Sequence, residues 1–283
     1  MIHLVTDSTA YLPPEIKARY NVRIVSLKII VGDQTYDEEG GITQEAFYKL
    51  LDSVATAPTT SQPSSGEFLA VYEPLVQDDD EVISIHISEG LSGTVPNARI
   101  AAQEVAAERI TVVDSRTTSV GLVVMIIAAG EAVAAGKRRD EIVQMLERMA
   151  GETETVFMVE NLAYLHKGGR INTAARLLGT LLNIKPILYL SEGKIEPLDK
   201  ARSSKKAKRR ILDRVVQQMG GRPVRVAVAH IFAPEAAAQL AERASAELNC
   251  VSVDMTQVGP VIGSHVGPGV LGIAACPVGE DGF

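Results

Sequence analysis

The sequence predicts an α/β fold divided into two domains, and three observations carry that expectation. Short β-branched runs alternate with helix-like stretches along the chain, the pattern of a parallel sheet crossed by helices. At 283 residues the chain is long enough for one large core or two ordinary ones. Near residue 150 the text changes from a charged amphipathic helix, Asp140–Ala150, to the polar connector Gly151-Glu152-Thr153-Glu154. The boundary is placed there, separating residues 1–153 from residues 154–283.

In the first part, Ile2–Thr6, Arg23–Val31, Glu81–Ile87 and Ile110–Asp114 read as strands because β-branched side chains dominate them. Pro13–Tyr20 reads as a helix whose first turn holds Pro13 and Pro14, where a missing N–H costs little. Gln44–Ser53, Gly66–Val76, Val95–Glu108 and Ser119–Ala135 carry helical spacing. Ser64 followed by Glu67 is a capping box at the start of one of them. Gly32-Asp33-Gln34 after a β-branched run predicts a hairpin turn and an antiparallel excursion. The run Val120 to Ala129 is about half the length a membrane span needs, so it reads as a buried helix. In the second part, Thr155–Val159, Lys185–Leu190, Val224–His230 and Cys250–Thr256 read as strands.

Composition excludes several functions. A hydrophobic share of 46% with 22% charged residues is globular. Aromatic residues make up 4% and Trp is absent, which removes the stacking platforms of single-strand binders. A net charge of −7 argues against a general nucleic-acid partner. Cys250 and Cys276 lie in no metal or redox spacing and read as free thiols, so no metal and no cofactor are expected. The first seven residues lack the basic and apolar regions of a secretory signal, and a soluble, cytoplasmic protein is the expectation.

The chemistry is concentrated in two hydroxyl-rich turns, Thr59-Thr60-Ser61-Gln62-Pro63-Ser64-Ser65-Gly66 and Ser88-Glu89-Gly90-Leu91-Ser92-Gly93-Thr94. Each precedes a helix-like stretch, where free N–H groups and the helix dipole favour an anion. Neutral donors that hold an anion suit binding better than bond-breaking. A third strand ends in Asp114-Ser115-Arg116-Thr117-Thr118, and C-terminal strand ends form the ligand crevice of open parallel sheets. Helix capping alone is the competing account of any one of these turns.

Sharper enzymatic motifs fail on spacing. Gly267-Pro268-Gly269-Val270-Leu271-Gly272 matches a dinucleotide string but has no room for a following βαβ unit. Gly90-Leu91-Ser92-Gly93 has Thr94 where a nucleophile elbow needs glycine. His265 stands out of five scattered histidines because it sits in a glycine-rich loop that lets backbone approach a ligand. Lys167 and Arg170 flank a Gly-Gly pair as an exposed basic loop. The acid-free run Lys200 to Arg210 reads as a solvated helix face or a docking patch, with Arg202 turned toward the ligand.

Seven segments in order give a resemblance across almost the whole chain. They are Val5-Thr6-Asp7-Ser8-Thr9-Ala10, Thr60-Ser61-Gln62-Pro63-Ser64, Gly90-Leu91-Ser92-Gly93-Thr94 and Val113-Asp114-Ser115. The others are Leu165-His166-Lys167-Gly168-Gly169-Arg170-Ile171, Leu182-Asn183-Ile184-Lys185-Pro186-Ile187-Leu188 and Gly263-Ser264-His265-Val266-Gly267-Pro268-Gly269. Together they resemble the DegV family of fatty-acid-binding proteins, which includes the acyl-carrying subunits of bacterial fatty acid kinase. The resemblance implies a mainly parallel sheet in the first domain, a mixed sheet in the second, and a long-chain fatty acid between them. It further implies that the acyl carboxylate bonds to Thr60 and Ser92, with Ser61, Gly93, His265 and Arg202 close by. Arg170 and Lys167 would engage a separate fatty acid kinase, and membrane contact would be transient at most. Glu89 and Tyr11 depart from the residues frequent at their positions.

Burying about fourteen methylenes at roughly 0.8 kcal/mol each gives on the order of 11 kcal/mol before ordering costs, so the tail would supply most affinity. Apolar members of Val25–Val31, Leu162–Leu165 and Leu177–Ile187 are the tail-lining candidates. The main alternative is a hydrolase or transferase with Ser92 or Thr60 as nucleophile and His265 as base.

Overall fold

The computed structural model describes residues 1–53, 58–177, 184–279 and 282–283. The first part runs β1 (Ile2–Asp7), α1 (Pro14–Arg19), β2 (Arg23–Val25), β3 (Lys28–Val31), β4 (Gln34–Asp37), α2 (Gln44–Ser53) and β5 (Thr59–Ser61). It continues through α3 (Ser65–Tyr72), β6 (Glu81–His86), α4 (Thr94–Ala106), β7 (Ile110–Asp114), α5 (Val120–Ala134) and α6 (Arg139–Glu152). The second part runs β8 (Glu154–Met158), α7 (Ala163–Lys167), β9 (Lys185–Ser191), β10 (Lys194–Ala201) and α8 (Ser204–Met219). It ends with β11 (Pro223–His230), α9 (Pro234–Glu247), β12 (Asn249–Gln257), α10 (Pro260–Val266) and β13 (Leu271–Pro277).

Both expected sheet types are present. The first sheet has the order β2-β1-β6-β7 and is wholly parallel. The second has the order β10-β9-β8-β13-β11-β12 and is mixed, with β11 and β12 its one parallel pair. A third, small antiparallel sheet has the order β4-β3-β5.

Period-two alternation sorts the first sheet's side chains onto two faces. Leu4, Ile83 and Ile85 join the core cluster that contains α5. Val5 and Val82 face the other way, into a cluster with Phe68 and Tyr72 of α3 and Ala98 of α4. Ser84 and His86 alternate with the same isoleucines and meet α3. There Tyr72 Oη donates to Ser84 Oγ (2.8 Å), Ser84 Oγ lies 2.6 Å from His86 Nε2, and His86 Nδ1 lies 3.0 Å from Asp7 Oδ2. All four side chains are sealed from solvent, and satisfying every polar atom is what makes that burial tolerable.

α5 is apolar on all sides, with no charged residue before Glu131, as a helix buried on all sides must be. It touches β1 and β6 of the parallel sheet and β8, β11 and β13 of the mixed sheet. The outer face of the mixed sheet is covered by α8 and α9 through a separate core of Ile211, Leu212, Val215 and Leu240. The layers therefore run α3/α4, parallel sheet, α5, mixed sheet, α8/α9.

Two sequence expectations need correction, and two strands are additional to them. Arg23–Val31 is two strands, because the Leu27 N–H binds Ser8 Oγ (3.0 Å) and its carbonyl accepts from the Glu38 N–H (2.9 Å), so the chain leaves one sheet for another. The hairpin after it is formed, with Gly32 at φ 60° opening the turn into β4. β10 and β13 went unread, since β10 is polar and β13 begins inside the glycine-rich string Gly267–Gly272. Finally, the helix at Gly66–Val76 is α-helical only as far as Tyr72 and ends in a 3₁₀ turn at Glu73–Leu75.

Because α5 packs against both sheets, truncating its fully buried Met125 should cost about 2–5 kcal/mol. Urea unfolding of Met125→Ala, read at equilibrium, measures this.

Candidate functional site

A cavity with an empty volume of about 910 Å³, its opening included, lies along the seam between the sheets. Ile87, Leu91 and Val120 line it from the parallel-sheet side, and Phe157, Ala229 and Gly272 from the mixed sheet. α7 adds Leu165, and α10 adds Ile262 and Val266. The wall is therefore mostly apolar, drawn from elements at both ends of the chain.

Most of its polar groups gather at one end, where Thr60, Ser92, Arg170 and His265 are half-buried. Thr60, in β5, places Oγ1 2.8 Å from His265 Nε2, on α10. β5 is held there by antiparallel pairing of Thr60 with Ile29 of β3. Ser92, in the turn that leads into α4, has its Oγ 2.9 Å from Thr94 Oγ1. The Gln62 amide lines the cavity and packs closely over Gly93 of the second hydroxyl turn, where a Cβ would stand 2.9 Å from Nε2. Arg170 also lines the cavity, with Nη1 donating to Gly168 O (2.7 Å) and Nε to Leu91 O (3.3 Å).

His265 is neutral at physiological pH. Burial, reinforced by the nearby Arg170 guanidinium, pulls it down to about 4. Its Nδ1 has no hydrogen-bond partner and sits against Gly168, where any Cβ would strike the ring. A bare acceptor is cheaper to bury than an orphaned N–H, so the proton belongs on Nε2, which donates to Thr60 Oγ1. That leaves the Thr60 hydroxyl proton free to point into the cavity.

α10 is positioned by a buried carboxylate from the other end of the chain. Glu38 accepts from Ser8 Oγ (2.7 Å), Tyr11 Oη (2.9 Å) and the Val261 N–H (2.7 Å). Tyr11 Oη in turn accepts from the Ile262 N–H (3.0 Å). Burial outweighs those donors and pushes Glu38 up to about 7, with the Asp7 charge adding to the rise. Tyr11 is pushed well above its ordinary value by burial and by Glu38.

The structure thus brings together Thr60, Ser92 and His265. Ser61 and Gly93 adjoin them without lining the cavity, and Ser61 Oγ donates to Gln62 O (3.1 Å). Arg202 does not reach the site. It is exposed in the bend before α8, which packs on the outer face of the mixed sheet, away from the seam. Arg170, expected on an exposed loop with Lys167, lines the cavity, while Lys167 is exposed at the end of α7.

Of the tail candidates, Leu27 and Leu165 line the cavity. Val25, Ile29, Val31 and Leu162 belong to ordinary core clusters, and so does Ile187. Residues 178–183 lie outside the described residues. Gln62 and the mixed-sheet wall were not foreseen, though Gln62 stood in the hydroxyl turn itself. Glu89, on the rim of that second turn, is exposed and pairs with Arg99 at 2.8 Å.

Comparison with known proteins places this architecture. A model of the DegV family matches residues 1–278. The chain belongs to the DegV family. Protein DegV of Bacillus subtilis is 37% identical over 277 residues, covering 97% of this chain and 99% of that one. A DegV family protein of Thermus thermophilus, whose structure is described as showing fatty acid binding, superimposes with a TM-score of 0.93. It is 37% identical and covers 98% of this chain and 99% of its own. A DegV family protein of Ruminococcus gnavus, described with vaccenic acid, has a TM-score of 0.86 at 25% identity, covering 96% and 99%. Among the described residues, no helix is long and apolar enough to cross a membrane, and no group of His, Cys, Asp and Glu could hold a metal ion.

Two buried groups of this DegV-family chain give opposite pH dependences. Glu38, raised from 4.5 to about 7, contributes stability that is complete below pH 4.5 and lost as pH rises through about 7. His265, lowered from 6.5 to about 4, contributes stability present above pH 6.5 and lost as pH falls through about 4. The two slopes oppose each other between them. Glu38→Gln should therefore lose more stability than the unaltered protein between pH 7 and 4.5, by roughly 2–3 kcal/mol in urea unfolding at each pH.

Proposed function

We propose that this chain binds a long-chain fatty acid in the seam cavity and presents its carboxylate to a separate fatty acid kinase, which converts it to an acyl phosphate. The observation that carries this reading is an apolar cavity that ends in the Thr60–His265 pair and Ser92. The relatives described as fatty-acid-binding support it. The alkyl chain lies along the aliphatic wall, where each buried methylene is worth roughly 0.8 kcal/mol. One carboxylate oxygen accepts from Thr60 Oγ1, whose own oxygen is held by His265 Nε2–H. Ser92 Oγ donates to the carboxylate as well.

Arg170 adds a positive charge beside the head group in this reading and so joins the ligand site as well as any docking surface. Lys167 stays with the docking surface. The second carboxylate oxygen remains at the half-buried end, where a phosphoryl donor can be attacked. We further propose residues 1–153 and 154–283 as the two domains, with the fatty acid between them.

The nucleophile alternative has one observation in its favour, the 2.8 Å contact between Thr60 and His265. Against it, a base held at about 4 is weak at neutral pH, and no carboxylate orients Nδ1 among the described residues. Ser92 meets Thr94 instead of a base.

Organic extraction of the purified protein followed by mass spectrometry should recover about one C14–C18 acid per chain. Protein that purifies empty and fails to bind added palmitate would sink the reading. Thr60→Val or Ser92→Ala should weaken fatty acid affinity about tenfold to a hundredfold, the worth of one hydrogen bond to a charged group. Acyl phosphate formation with an added fatty acid kinase should fall in parallel.

A further inference from the structure

One stretch of the cavity wall carries hydroxyl oxygens that are shut off from solvent. Thr118, Ser119 and Thr155 line it. Ser119 is 6% exposed. Its hydroxyl has no hydrogen-bond partner, and neither has that of Thr118. Thr155 Oγ1 is 2.9 Å from Thr117 Oγ1, which satisfies that pair and leaves the other two alone. A hydroxyl shut away from water is costly unless something bonds to it.

The same stretch is where α5 begins. Ser119 precedes the first turn of this 15-residue helix without capping it through its side chain. The end of α5 that abuts the cavity therefore carries first-turn N–H groups and the positive end of a helix dipole. Ser119 is held at φ 51°, ψ −120°, a conformation that disfavours a non-glycine residue. A serine kept there contributes a hydroxyl that the more comfortable glycine would lack.

Two free hydroxyls and a helix N-terminus are a set of donors, and their complement is an acceptor oxygen. That oxygen is neutral. Among the described residues, the only ionisable side chains lining the cavity are Arg170 and His265, both at the head-group end, so a second carboxylate here would be a buried charge without a counter-ion. We propose that Thr118, Ser119 and the start of α5 form a second polar subsite, which recognises a hydroxyl or oxo group carried part-way along the acyl chain. This rests on the fatty-acid reading of the cavity. The ligand class it favours is a mid-chain hydroxy- or oxo-fatty acid, and an unsubstituted chain leaves the subsite unanswered.

The test compares stearate with a series of monohydroxy- and oxo-stearates whose substituent moves along the chain. Affinities are measured for the unaltered protein, Ser119→Gly and Thr118→Val. Glycine removes the hydroxyl and suits the positive φ, and valine replaces threonine at nearly constant shape. The reading is the ratio of substituted to unsubstituted affinity within each protein, so a general effect on folding cancels.

In the unaltered protein, at least one substituent position should bind as tightly as stearate or more tightly. Ser119→Gly and Thr118→Val should each lower the ratio for that isomer by about tenfold. If every substituted acid binds the unaltered protein at least tenfold more weakly than stearate, or if neither variant changes the ratio, the subsite is overturned while the fatty-acid reading stands. If neither stearate nor any substituted acid binds, both fall together.

Discussion

A single helix that is apolar on every side sets the terms for the whole molecule. α5 cannot face water anywhere along Val120–Ala129, so it needs a sheet on both flanks, and the chain supplies a parallel one and a mixed one. Leu4, Ile83 and Ile85 meet it from one side and Ala227, Ala229 and Ala274 from the other. The small residues on the mixed-sheet side bring that sheet in closely. Beside the start of this helix the two sheets are no longer filled by side chains, and the cavity occupies that space. The same burial that fixes the layers thus fixes where a ligand can lie.

Burial also governs the charge state of the polar end. His265 and Glu38 are shifted in opposite directions by the same cause, and both become neutral more readily than they would in water. Glu38 and Tyr11 hold the start of α10 through its N–H groups, and α10 carries His265 to Thr60. The polar end of the cavity is therefore tuned by residues that never line it. Arg170 is the exception to its neutrality, a cation placed by backbone carbonyls of Gly168 and Leu91.

Much of this was legible in the amino-acid order. The β-branched runs, the capping box of Ser64 with Glu67 and the Gly32 turn lie where local chemistry alone puts them. Hydroxyl density marked the two turns and glycine context marked His265, the family resemblance singled out Thr60 and Ser92 within the turns, and the fold brings these three to one end of one cavity. What sequence could not convey is which surface a residue faces once sheets have stacked. Arg170 read as a cation of a glycine-loosened loop, and Arg202 as the member of a basic run that turns toward the ligand. The first lines the seam and the second sits outside the mixed sheet, a difference decided by layer order and by nothing local. The β10 and β13 strands were hidden for a related reason: polar or glycine-rich text makes a strand only when a neighbour pairs with it.

The Thr60–His265 contact joins residues 205 positions apart. During synthesis the parallel sheet, complete by Asp114, can pair long before α10 has been made. Closing so large a loop is slow compared with local pairing, so the polar end of the cavity is among the last features to form. A nascent chain holds half a wall and no floor, and the cavity is not closed until α10 and β13 have been made. Whatever the cavity holds is thereby met by a finished molecule and not by a core still being assembled.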